Sequence, residues 1–109
     1  MYQSGEKFMR ILVFFDLPVG TRCERYAATR FRNDLLNDGY YMMQFSIYSR
    51  MVKGASAVDK HIQRLRHLAP PSGSVRVLTV TEKQFADMFF LVGSPPVAEK
   101  IGTQQLLMF

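Results

Sequence analysis

Residues 10–18, RILVFFDLP, contain five consecutive apolar residues that end at a carboxylate and a proline. Side chains alternate between the two faces of a β-strand. One face of this strand would carry Ile11, Val13 and Phe15. The other would carry Leu12, Phe14 and Asp16. Two apolar faces are typical of a strand at the centre of a covered sheet, so we predict helices on one face and a domain or second copy on the other.

Asp16 would lie at the rim of that second face, where the strand ends. An aspartate before a Leu-Pro pair often only forms a turn by bonding to its own backbone. A carboxylate at a strand exit can also bind a metal ion or take part in catalysis. The residue alone favours the turn, so the choice depends on its surroundings.

Residues 21–24, TRCE, have the spacing of a capping box, in which Thr21 and Glu24 accept hydrogen bonds from each other's backbone amides. This predicts a helix from about Arg22 to the sequence NDG at residues 37–39. Its apolar stripe would be Cys23, Ala27, Phe31 and Leu35. An exposed basic face would lie opposite, made of Arg22, Arg25 and Arg32. Its position beside Asp16 favours phosphate binding, although arginines on the solvent side of a helix need no function.

Residues 40–52, YYMMQFSIYSRMV, predict one long strand with a bend near Ser46 or Ser49. Its core face would be Tyr41, Met43, Phe45, Ile47 and Met51. The opposite face, suited to a dimer contact or a ligand groove, would be Met42, Gln44, Ser46, Tyr48 and Arg50.

A second helix is predicted from about Ser56 to the stop signal PPSG at residues 70–73. Two histidines on this helix, His61 and His67, are six residues apart and should both lie on the surface. We then predict a strand at residues 74–81, one or two helical turns from Thr81, and a short strand at residues 89–92, FFLV.

The chain has a formal net charge of +5, and residues 50–76 hold six basic residues against one acid, Asp59. A polyanion such as nucleic acid is the simplest partner, and an ordinary basic surface is the alternative. The basic candidates in this region are Arg50, Lys53, Arg64 and Arg66.

Composition excludes several classes of protein. The single cysteine, Cys23, excludes an internal disulfide and a zinc site built from cysteines. No stretch of 18 apolar residues predicts a membrane span. We therefore expect a soluble, cytoplasmic protein without membrane contact.

The order of elements predicts an α+β fold, a ferredoxin-like sandwich with two helices on one face of an antiparallel sheet and an extra C-terminal strand. Residues 1–109 would form one domain. Residues 94–109 would be a linker and a C-terminal strand, exchanged with or docked on a partner because the apolar end QLLMF needs covering.

Four blocks resemble the CRISPR-associated Cas two family, especially members found beside type II effector systems. They are VFFDLP at 13–18, QFSIY at 44–48, SVRV at 74–77 and VTEKQF at 80–85. The family fold has two strands where our pattern predicts one over residues 40–52, so the resemblance implies the opposite for this stretch.

The resemblance also implies site residues and partners. Asp16 matches the family's proposed magnesium ligand and catalytic residue, with one Mg²⁺ shared between two copies at a dimer interface. The aromatic residue of the QFSIY block matches Tyr48, and Arg22 and Arg25 match the family's helix arginines approximately. The family dimerises sheet against sheet with exchanged tails, which implies an interface of Leu12, Phe14, Met42, Tyr48, Leu106 and Met108.

Two main functions follow. The first is a spacer-acquisition subunit that dimerises, binds duplex DNA and holds the integrase catalytic subunit of the Cas one family. The alternative is a Mg²⁺-dependent endonuclease acting on RNA or DNA, which we expect to be weak because Asp16 has no second acid nearby. A module that binds a small regulatory ligand is a third, for which the sequence offers no specific pocket.

Overall fold

The computed structural model describes residues 7–97 and 99. Within them, four strands and three helices follow one another along the chain. They are β1 (Phe8–Asp16), α1 (Arg22–Asn37), β2 (Tyr41–Gln44), β3 (Ile47–Lys53), α2 (Ala55–Leu68), β4 (Ser74–Thr81) and α3 (Glu82–Ala86). This is the predicted α+β, ferredoxin-like architecture. None of these helices has the length and hydropathy needed to cross a membrane.

The sheet is antiparallel with the order β2-β3-β1-β4, so β1 is paired on both sides. Its odd-numbered residues, Ile11, Val13 and Phe15, are buried in the core. The ring of Phe15 packs edge-on against Phe31 of α1, with 5.3 Å between ring centroids. The core therefore lies between the sheet and the helices, on one of the two faces predicted for β1.

The ends of α1 form as predicted. The Glu24 amide donates to Thr21 Oγ1 at 3.1 Å, and the Thr21 amide donates to Glu24 Oε1 at 2.9 Å. Phe31 and Leu35 of the predicted stripe are buried, whereas Cys23 is exposed. The buried side of the helix starts at Ala28, so the first turn of α1 lies outside the core.

The prediction of one strand over residues 40–52 is wrong. β2 and β3 form a hairpin, with Phe45 and Ser46 in the turn between them. Ser46 has φ of 65°, a left-handed conformation that usually needs glycine or asparagine. The Phe15 amide donates to the Ser46 carbonyl at 3.0 Å, so β1 stabilises the turn. The two-strand count implied by the family resemblance is confirmed.

The faces assigned to β3 are also wrong. Tyr48 pairs with Val13 of β1 and is 3% exposed, with its ring centroid 5.5 Å from that of Phe15. Tyr48 is therefore in the core beneath the helices. Met42, the ladder partner of Tyr48, belongs to the same face. Neither residue lies on the side of Leu12 and Phe14, where the predicted dimer interface placed them.

The second face of the sheet is partly covered by α3. Arg10 is 3% exposed, and its guanidinium makes two hydrogen bonds to the Glu82 carboxylate, at 2.6 and 2.9 Å. The guanidinium carbon lies 4.2 Å from the Phe85 ring centroid. On the same side, the Tyr41 hydroxyl donates to Glu99 Oε1 at 2.9 Å. These contacts attach α3 and the segment after it to this side, which we call the open face.

The predicted strand at residues 89–92 does not form. These residues follow α3 without pairing to the sheet, and Leu91 is 96% exposed. The segment lies beside Leu12 and Phe14, where it lines one side of a groove, and does not pair with the outer edge of β4. The predicted C-terminal strand, including Leu106 and Met108, lies outside the described residues.

Candidate active site

Asp16 is the last residue of β1 and lies opposite Ser74 of β4 in the ladder. It is exposed, and its carboxylate makes no hydrogen bond or ion pair with any residue that the structure describes. The alternative of a turn-forming aspartate bonded to its own backbone therefore does not hold. The carboxylate is available to a ligand from solvent.

Gly73 fixes the backbone at this point. A Cβ on Gly73 would lie 2.8 Å from the Asp16 carbonyl oxygen and 3.0 Å from side-chain atoms of Leu17 and Pro18. Gly73 also has φ of 95°, which favours glycine. Gly73 belongs to the sequence PPSG at residues 70–73, which predicted only the end of the second helix. Its contact with the Asp16 backbone depends on the tertiary fold.

The residues around Asp16 offer a metal ion one carboxylate. The described part of the chain contains no group of three or more His, Cys, Asp or Glu residues that could hold a metal ion. Glu24, the nearest acid in sequence, is used by the cap of α1. Mg²⁺ usually takes one or two protein carboxylates and completes its six ligands with water and phosphate. Asp16 therefore fits Mg²⁺ only in combination with phosphate, water or a second copy of the chain.

The three arginines predicted for one face of α1 have different environments. Arg22 is exposed and has no side-chain partner among the described residues. Arg25 Nη1 donates to the carbonyls of Val19 and Gly20, at 3.2 and 3.4 Å, and so holds the loop that follows Asp16. Arg32 is half-buried, with its guanidinium carbon 5.8 Å from the centroid of the Phe15 ring. Arg22 is therefore the arginine of this set that is free to bind phosphate.

Asp38, the residue after α1, engages two other predicted binding residues. Arg50 Nη1 donates to the Asp38 carbonyl, and Arg64 Nη1 pairs with the Asp38 carboxylate. These contacts tie β3 and α2 to the end of α1. The Arg50 and Arg64 guanidiniums thus have structural partners and are not free basic groups on the surface.

His61 also belongs to this cluster, and its predicted surface position is wrong. Its side chain is 11% exposed, with Nδ1 at 3.6 Å from Asp38 Oδ2. Burial lowers the pKa of His61, and the nearby Arg50 charge lowers it further, while Asp38 opposes the shift. Burial, with a smaller effect of Asp38, raises the pKa of the adjacent Tyr40 to about 12. His67 is exposed as predicted.

Lys53 and Arg66 remain exposed. The Lys53 ammonium lies 5.8 Å from the Phe8 ring centroid, and Arg66 has no side-chain partner in the part of the chain that is described. The seven predicted basic residues are distributed over α1, β3 and α2. Those that are exposed and have no hydrogen bond or ion pair with a described residue are Arg22, Lys53 and Arg66.

The open face contains an apolar groove of about 390 Å³. Leu12 and Phe14 of β1 lie at its base, together with Ile47. The segment after α3 borders it through Met88 and Phe90. Leu78, the ladder partner of Leu12, is 51% exposed on the same face. These residues form an apolar surface on the face of the sheet that also carries Asp16.

Comparison with known proteins gives consistent matches over these elements. The model of the family described as CRISPR associated protein Cas2 matches residues 9–88. A protein from Acidovorax ebreus (strain TPSY) is 57% identical over 102 residues, which cover 93% of this chain and 100% of that protein. It carries the name CRISPR-associated endoribonuclease Cas2.

Two further relatives carry the same name. One, from Campylobacter jejuni, is 42% identical over 91% of this chain and 69% of its own length. Another, from Flavobacterium psychrophilum, is 44% identical over 91% of this chain and 86% of its own length. The matches span all seven described strands and helices, including β1 with Asp16, and this chain belongs to the CRISPR-associated Cas2 family.

Proposed function

We propose that this protein is a weak, metal-dependent endoribonuclease whose central residue is Asp16. The observation that carries the proposal is the exposed, unpaired Asp16 carboxylate at the end of a buried strand. Its relatives are named as endoribonucleases, which supports this nuclease alternative better than the spacer-acquisition role. The reaction is phosphodiester hydrolysis: water loses a proton to solvent as its oxygen bonds to phosphorus, the bond to the leaving ribose oxygen breaks, and that oxygen takes a proton from solvent.

In this proposal Asp16 would hold Mg²⁺, and the Asp16 of a second copy would supply another carboxylate. Mg²⁺ would activate water and neutralise the charge that develops on the phosphate. The protein's own residues position the carboxylate and the phosphate chain. Gly73 sets the backbone of Asp16, Arg25 holds the loop after it, and the free Arg22 attracts the phosphate chain at the start of α1.

A homodimer follows from the open face. An exposed apolar surface of this kind is usually covered by a partner, and Asp16 at its rim would then meet its counterpart across a twofold axis. Leu12, Phe14 and Leu78 would lie at the interface, and the tail with Leu106 and Met108 would add to it. Met42 and Tyr48 are not part of this proposed interface because they lie on the helix side.

The test is cleavage of a single-stranded RNA with and without Mg²⁺. Asp16→Asn should lower the Mg²⁺-dependent rate by about 100-fold or more, the usual size of effect when one catalytic group is lost. Asp59→Asn is the matched control, because Asp59 is exposed on α2. It should leave the rate unchanged. Equal rates for the wild type and Asp16→Asn would contradict the proposal.

A second candidate function is the spacer-acquisition subunit that binds duplex DNA and holds the integrase catalytic subunit. The net charge of +5 and the free Arg22, Lys53 and Arg66 favour it. Such binding should weaken steeply with salt, because each neutralised phosphate releases counterions. Removing residues 104–109 should abolish association with the integrase subunit. If the truncated protein still joins that subunit, the tail does not serve this role.

A further inference from the structure

The register between β1 and β4 places a second charged residue beside Asp16. Asp16 pairs with Ser74, and Phe14 pairs with Arg76. Paired residues share a face of the sheet, so Arg76 lies on the open face, diagonal to Asp16. Diagonal neighbours on one face of an antiparallel pair have Cα atoms about 7–8 Å apart, within reach of an arginine side chain.

Arg76 is an unneutralised cation in apolar surroundings. It is exposed, and it has no hydrogen bond or ion pair with any described residue, Asp16 included. Its ladder partner is Phe14, and Leu78 lies two residues further along the same face of β4. Arg10, the arginine of β1 on this face, is by contrast paired with Glu82 and stacked on Phe85. On the open face, Arg10 is therefore paired with a carboxylate, whereas Arg76 has no anionic partner among the described residues.

We propose that Arg76 binds the phosphate that is cleaved at Asp16. A guanidinium can donate two parallel N–H groups to non-bridging phosphate oxygens, and it strengthens this contact as charge develops there. Asp16 would hold the metal ion at the same phosphate, so the two opposite charges both act on the substrate and need not pair with each other. The inference deepens the proposed nuclease function and rests on it.

The position of β4 makes this contact accessible. Among the described strands β4 pairs only with β1, so it forms an edge of the sheet. Arg76 therefore lies between the margin of the sheet and Asp16, and in the proposed dimer, which covers Phe14 and Leu78, a nucleic-acid strand would reach it from that margin. Sequence alone could not indicate this, because Asp16 and Arg76 are 60 positions apart in the chain.

The first test measures binding without cleavage. Single-stranded RNA is bound to the Asp16→Asn protein and to the Asp16→Asn, Arg76→Ala double variant over a range of salt concentrations. Loss of one phosphate contact should reduce the slope of log affinity against log salt by about 0.7. Lys60→Ala in the Asp16→Asn protein removes one exposed charge from α2 and should leave the slope unchanged. An unchanged slope in the Arg76→Ala variant would overturn the proposal.

The second test measures cleavage with Asp16 intact. Arg76→Ala should lower the Mg²⁺-dependent rate roughly 100-fold, the scale of losing one group that stabilises the transition state. Arg76→Lys should keep the salt slope and lose rate, because lysine retains the charge without the bidentate geometry. A full rate for Arg76→Ala would overturn the proposal. If the slope falls but wild type and Asp16→Asn cleave equally, the phosphate contact stands and the nuclease function fails.

Discussion

At the scale of single residues, the position of the Asp16 backbone depends on two uncharged neighbours, Gly73 and Ser74. Residues 70–73 bring the chain back from α2 so closely that only a glycine fits against the Asp16 carbonyl. Gly73 is followed at once by Ser74, the ladder partner of Asp16. The exit of β1 and the entry of β4 are therefore positioned together, and Gly73 is the residue that couples them.

Gly73→Ala should lower both stability and cleavage. The positive φ costs an alanine about 1–2 kcal/mol, and the contact with the Asp16 carbonyl adds to this. Gly93→Ala is the matched control, because Gly93 has a similar φ of 94° but its added Cβ would meet Phe90 at an ordinary 3.9 Å. Thermal unfolding and RNA cleavage of the two variants give the comparison. Equal losses would mean that the contact with Asp16 has no role.

The cluster around Asp38 shows how burial changes a side chain predicted to be solvated. His61 has four polar neighbours: Asp38, Tyr40, Arg50 and Arg64. Burial lowers the pKa of His61 below its ordinary value of 6.5, and the charges of Arg50 and Arg64 lower it further, while Asp38 opposes the shift. Arg64 is on the same helix as His61, but the sequence could not indicate the other neighbours, which come from β3 and from the loop between α1 and β2.

This lowered pKa gives stability a defined dependence on pH. Below pH 6.5 the unfolded chain binds a proton at His61 before the folded chain does, so the free energy of unfolding falls as pH falls from there to the lowered folded pKa. In His61→Gln this loss should be smaller between pH 7 and 5. His67→Gln, on the exposed side of the same helix, should retain the wild-type dependence. Chemical denaturation at several pH values measures the free energy of unfolding. The same pH dependence in both variants would contradict a role for His61.

At the scale of elements, local chemistry made the helices and β4 predictable. Both capping boxes, at Thr21 with Glu24 and at Thr81 with Gln84, form in the structure. The β2–β3 hairpin was not predictable because a serine takes the left-handed position without a sequence signal. Its stabilising contact comes from the Phe15 amide, which is distant in sequence. The faces of β3 were inverted because both sides of the stretch carry large apolar residues.

Ser46→Val should destabilise the protein by about 1–2 kcal/mol, since a β-branched residue strongly disfavours positive φ. Ser46→Asn should be tolerated, because asparagine adopts this conformation readily. These two variants distinguish a hairpin from a continuous strand, because in a continuous strand valine would be the more favourable residue. The midpoint of urea unfolding provides the measurement. A Ser46→Val protein as stable as wild type would contradict the hairpin.

At the scale of the whole molecule, the sequence was sufficient to single out Asp16 but not its setting. Its place at the end of an apolar run made Asp16 a candidate, and the family resemblance, rather than the residue alone, implied a metal ligand there. Gly73, Ser74 and Arg76 reach it only through the pairing of β1 with β4. The structure likewise separates predicted binding residues that are free, such as Arg22, from those with structural partners, such as Arg50.

The open face links these observations to assembly. Its groove is apolar, while its rim carries Asp16 and Arg76. A second copy packed on this face would bury the groove and bring two such rims together. We therefore propose that a functional nuclease site needs an Asp16 from each of two chains.

Mixed dimers test this claim most directly. Wild-type and Asp16→Asn chains are unfolded together, refolded in equal amounts and assayed for Mg²⁺-dependent RNA cleavage against wild type at the same total concentration. Random pairing leaves about one quarter of dimers with two Asp16 carboxylates, so the rate should fall to about one quarter. A mixture with Asp59→Asn should keep the full rate. A fall to about one half, as expected if each chain acts alone, would contradict the shared site.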